Sequence, residues 1–104
     1  MTQPDGNAVY QTIVTRCLAD ADVSLGKMLN AQSLQVRGKS FAYLGTDGLV
    51  VKLPADRVSE MEKLDVGKRL VVGKRTMKEW LVVADTQSDR WPDLVAEAQQ
   101  FVGG

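Results

Sequence analysis

Histidine is absent from this chain, and only one cysteine, Cys17, occurs among its 104 residues. The first absence removes the commonest general base, the usual partner of a nucleophilic serine or cysteine, and the commonest metal ligand. The second excludes an intrachain disulfide and points to a reducing compartment. No apolar run approaches the ~20 residues that span a bilayer. The opening Met-Thr-Gln-Pro-Asp-Gly-Asn carries no charged-then-apolar signal pattern. A cytoplasmic protein without membrane contact is therefore expected. Repeats, low-complexity tracts and long linkers are missing too, so residues 1–104 read as one domain.

Net charge is zero, with 13 basic and 13 acidic residues. The charge is unevenly spread. Between Lys27 and Lys78 eleven cations face five acids, and the terminal thirds carry the balancing acid. This excludes a global field for nucleic acid and leaves room for a local basic patch.

The apolar pattern changes period along the chain. Asp5 or Asn7 is placed to cap a first helix, in which Val9, Tyr10, Ile13, Val14, Cys17, Leu18 and Ala21 recur at helical spacing. The acids Asp20 and Asp22 oppose the macrodipole at a helix C-terminus, so an end is expected near there. Lys27-Met28-Leu29 has the makings of a short strand. Leu34 and Val36 alternate with polar neighbours, and Gly38-Lys39 suggests a turn. Phe41 and Tyr43 are then expected on one face, with Ala42 and Leu44 on the other. Gly45-Thr-Asp-Gly48 is a hairpin signal. Leu49, Val51 and Leu53 alternate beyond it with Val50 and Lys52.

Pro54 suits the start of a helix striped by Val58, Met61 and Leu64. After Gly67 a basic loop is expected, in which Leu70-Val71-Val72 is either a short strand or ordered loop. Trp80 to Ala84 reads as strand, with Trp80 and Val82 sharing a face. Ser88 or Asp89 is placed to cap a last helix, with Pro92 in its first turn. Trp91, Leu94, Val95, Ala98, Phe101 and Val102 form that helix's apolar side. The order predicts an α+β fold of two layers. Its antiparallel sheet has about five strands, and the helices lie on one face.

Few residues are organised for chemistry. Cys17 falls on the apolar side of the first helix beside Ile13 and Leu18, as a buried structural cysteine would. Asp56 and Glu60, and Asp93 and Glu97, are carboxylate pairs on the polar sides of their helices, where solvated charge is the expected role. Gly67-Lys-Arg-Leu-Val-Val-Gly73-Lys74-Arg75 superficially suggests a phosphate-binding loop. Its glycines are one residue too far apart, and Arg75 stands where a metal-binding hydroxyl is required. Gly103-Gly104 follows a helix directly, where glycine is an ordinary stop. No catalytic residue, cofactor or metal ligand is predicted.

One cluster has functional content. Lys68, Arg69, Lys74, Arg75 and Lys78 occur within eleven residues with no acid between them. They form a candidate contact for an anion or a partner, or a solvated segment that balances the acidic helices. No aromatic interleaves the cations, which argues against stacking on single-stranded bases.

Several motifs together resemble the TfoX N-terminal domain family, with which the YjbR-like proteins share much of their plan. They are Lys39-Ser-Phe, Lys52-Leu-Pro54, Met77-Lys-Glu-Trp80 and the final helix anchored by Trp91, spread over roughly residues 8–102. The stretch Met28-Leu-Asn-Ala-Gln-Ser-Leu34 lacks the Phe-Gly pair that family members often carry there. The resemblance implies a two-layer fold like that of secretion chaperones, in a cytosolic bacterial protein with a regulatory or binding role. It supplies no catalytic residues. The expectation is a non-enzymatic regulatory or protein-interaction module whose partner is another protein, a second copy of the chain being one form of it. The alternative is a weak, charge-driven DNA-binding protein that uses segment 68–78.

Overall fold

A computed structural model describes residues 6–28 and 31–104. Helix α1 spans Gly6–Cys17, followed by strands β1 (Val23–Met28), β2 (Ala31–Val36), β3 (Lys39–Gly45) and β4 (Gly48–Lys52). Helix α2 (Ala55–Lys63) leads into β5 (Lys68–Val72) and β6 (Arg75–Val83). A short 3-10 helix, Asp85–Arg90, then enters α3 (Trp91–Gly103). The fold is α+β: a six-stranded antiparallel sheet in the order β1-β2-β3-β4-β6-β5, with three helices packed against it.

The expected core is largely the observed one. Leu49, Val51, Leu53, Leu81 and Val83 line the helix side of the sheet. They pack with Tyr10 and Ile13 of α1, Val58 and Met61 of α2, and Trp91, Leu94, Val95 and Ala98 of α3. Alternation along β4 sends Val50 to the opposite face, as read from its period. There it joins Tyr43 and Trp80 in a second, smaller apolar cluster fringed by Leu70, Met77 and Val82.

The hairpin at residues 45–48 forms as expected, with Gly45 paired to Gly48. Gly48 takes φ 136° and lies directly under β6, where an added Cβ would come within 2.2 Å of the Val83 carbonyl oxygen. Only glycine lets β4 pass this close to its neighbour.

Several expectations are corrected. Asp5 and Leu29 lie outside the described residues, and Asn7 is already inside α1. That helix ends at Cys17, short of Asp20, whose carboxylate accepts the Asp22 N–H in the turn that follows. The next turn is Arg37-Gly38, both at positive φ, so Lys39 already begins β3. A register shift between Leu34 and Gln35 places Phe41 in the helix-side core, while Tyr43 faces the other way. A bulge of this kind offsets the alternation, and so the two aromatics do not share a face. Leu64 follows the end of α2 and is 62% exposed, and Phe101 is exposed on α3. Ser88 is buried within the 3-10 helix and caps nothing; Arg90 precedes α3. Pro92 does fall in the first turn of α3. The sheet has six strands because Leu70-Val71-Val72, expected as short strand or ordered loop, pairs along β6 together with Lys68 and Arg69 of the expected basic loop.

Candidate interaction surface

The basic segment is a β-hairpin. Gly73 at φ 60° and Lys74 form a two-residue turn that sets Val72 opposite Arg75. Lys68 pairs with Val82 and Arg69 with Leu81, after which the register jumps so that Leu70 meets Met77. The extra residues of β6, Lys78 to Trp80, form an irregularity that turns Met77 and Trp80 to the same cluster. Lys68, Lys74, Arg75 and Lys78 are all exposed.

Arg69 behaves differently from the other four cations. Its guanidinium contacts the Glu62 carboxylate and the Ser59 hydroxyl of α2, and its backbone N–H donates to Glu62 at 3.1 Å. The side chain is half-buried, with 29% of its surface exposed. It clips α2 to the edge of the sheet and leaves four exposed cations rather than five. Glu62 and Ser59 were not singled out from the sequence. Their spacing to Arg69 has meaning only once α2 packs on β5.

The other face of the hairpin is apolar. Trp80 stacks at a tilt on Tyr43, with ring centroids 6.1 Å apart, and the Lys52 ammonium lies 5.8 Å from the Trp80 ring centroid. Both geometries are favourable. Tyr43, Val50 and Trp80 are each at most 6% exposed, so this cluster is closed and is not itself a docking face. What stays open is the outer strand: Val71 is 60% exposed and Val72 38%. β5 is an edge strand, and a groove of about 570 Å³ beside it is lined by Lys68, Leu70, Val82 and Thr86, with Asp47 and Asp65 adding negative charge.

The remaining candidates have structural surroundings. Cys17 is half-buried against the main core. Burial pushes its thiol up, Arg16 pulls it down, and Asp20 pushes it up; this is the setting of an inert thiol. Glu60 and Glu97 converge on Arg57, which donates from Nε to Glu97 at 2.8 Å. Of the carboxylates read as solvated charge, Glu97 thus ties α3 to α2 while Glu60 pairs within α2, and the Glu97 hydrogen bond chiefly holds the Arg57 pKa above its ordinary value. Among the described residues no three Cys, Asp or Glu side chains come together as metal ligands. No helix among them is long and apolar enough to cross a membrane.

No family model, curated protein or solved structure matches this chain.

Proposed function

We propose that the chain is a non-enzymatic regulatory or protein-interaction module of the TfoX N-terminal type, with the β5–β6 hairpin as its contact surface. The observation that carries this reading is the mixture at the sheet edge. Exposed Val71 and Val72 lie among four exposed cations. A duplex-binding face gains from uniform positive charge and polar contacts to phosphate, whereas apolar side chains among charges suit a protein surface. The two-layer architecture with helices on one side also accords with what the family resemblance implies. The test is capture of partners from the native host by the folded protein, compared with the variant carrying Lys74→Glu and Arg75→Glu. A partner retained by the first and lost by the second supports the reading. An identical set of captured proteins from both would refute it.

One observation favours DNA as the second reading: the four exposed cations have no acid between them in sequence. If all four neutralise phosphates, the log–log salt slope on duplex DNA is about −3.6. The cations lie on a β-hairpin and its turn and act through charge alone in this reading, so such binding is expected to be independent of sequence. Gel-shift titrations of specific and scrambled duplexes at several salt concentrations decide this. Tight, sequence-selective binding would point to another surface.

A further inference from the structure

We infer that the free edge of β5 accepts an extended segment of a partner protein as a seventh strand, and that it selects an acidic segment with apolar residues at its centre. This rests on the protein-interaction reading and specifies its mode and the chemistry of the partner. A two-residue turn makes Val72 and Arg75 the hydrogen-bonded pair, so the amides of Lys68, Leu70 and Val72 face β6 while those of Arg69 and Val71 face outward. The Arg69 amide bears this out, since it donates to Glu62 of α2 instead of to β6. The α2 side therefore covers the first outward position of the edge. At Val71 the strand remains exposed, and an incoming strand would find its outward N–H and C=O groups there.

Edge strands are usually guarded, and the guard here is selective. A second copy pairing antiparallel about Val71 would set Lys68 opposite Lys74 of that copy, and by symmetry the same pair would recur at the other end. Like charges directly opposite each other destabilise a ladder. Self-pairing is thus opposed by the charges that favour an acidic strand. The attraction is strongest at the turn end, where Lys74 and Arg75 lie; Asp47 and Asp65 line the groove at the Lys68 end and weaken it there. Between the two ends, Leu70, Val71 and Val72 offer apolar neighbours on alternating faces to the central residues of the incoming strand. Main-chain bonds supply affinity and the side chains supply choice, as in other strand additions.

The experiment uses a labelled peptide with a Val-Thr-Val centre and Glu residues at both ends, and a counterpart with Lys at both ends, in fluorescence anisotropy titrations. Val71→Pro removes the outward donor without touching the β5–β6 ladder, a place where an edge strand tolerates proline. Val71→Thr keeps the donor. The Glu-ended peptide is expected to bind the native protein and the Thr variant alike, and the Pro variant at least tenfold more weakly. Lys74→Glu with Arg75→Glu should transfer the preference to the Lys-ended peptide. Equal binding of both peptides by the native protein, or unchanged binding by a folded Val71→Pro variant, overturns the proposal. So does a native dimer, seen by light scattering, that Val71→Pro abolishes, because the occupant would then be a second copy. If partner capture depends on Lys74 and Arg75 but not on the Val71 amide, the interaction module stands and strand addition fails.

Discussion

Two aromatic side chains show how differently the faces of this sheet are sealed. Trp80 closes the small cluster, where Tyr43, Val50 and the Lys52 ammonium surround it. Trp80→Ala removes the largest piece of that cluster and is expected to cost about 3 kcal/mol, read from denaturant unfolding. An unchanged midpoint would mean that the second face adds nothing to stability. Tyr10 lies in the main core, 3% exposed, and its hydroxyl makes no hydrogen bond to the described residues. Removing a buried, unpartnered hydroxyl relieves its desolvation. Tyr10→Phe should therefore be neutral or stabilise by up to about 1 kcal/mol. The same burial, together with the nearby Cys17, pushes the Tyr10 pKa from 10.0 to about 12. The folded chain keeps a proton that the unfolded chain has lost, so stability is intact below pH 10 and falls as pH rises toward 12. Tyrosinate absorbance should accordingly rise together with loss of structure. A full tyrosinate signal from folded protein near pH 10 would contradict it.

At the scale of elements, the hairpin of β3 and β4 depends on Gly48. Gly48→Ala drives a Cβ into the Val83 carbonyl at a φ that other residues rarely adopt, and a loss of about 3 kcal/mol is expected. Thermal melts of the variant would show this, and a Tm within experimental error of the native value would refute the close approach. This hairpin was legible in the sequence because alternation and turn chemistry agreed there. Strand β5 was only half legible: five residues that begin Lys-Arg give no clear period, and the strand is defined by its partner β6. The faces of Phe41 and Tyr43 were misassigned because a register shift in the neighbouring ladder leaves no mark in the residues that carry it. The apolar faces of α2 and α3 were read correctly except at Leu64 and Phe101, where the pattern runs past the surface the sheet can cover. For the candidate site, the cations themselves were plain from composition. The withdrawal of Arg69 into its contact with Glu62 and Ser59 was not, because that contact joins two elements whose packing is tertiary.

The whole molecule is organised around one exception to local pairing. Four of the five strand pairs join neighbours in sequence, and only β4 with β6 skips a strand, joining Leu49 to Val83 across the excursion through α2 and β5. Every other pairing can form by closing a short turn. Closing this one brings together residues on either side of a long intervening chain, and the entropy of that closure is met before any contact rewards it. The connection is therefore expected to set the pace of folding. Truncations at the junction, such as Val51→Ala or Leu81→Ala, should lower the refolding rate in stopped-flow measurements by most of their equilibrium effect. Val23→Ala on the outlying β1 should mainly speed unfolding. If both groups of variants divide their effects equally between the two rates, closure of β4 on β6 is not the rate-limiting event. The insertion of β6 between β4 and β5 thus has a kinetic meaning. Without the β4–β6 ladder the sheet divides into the β1–β4 meander and the β5–β6 hairpin, and the hairpin carries the basic strand whose edge the finished sheet leaves open.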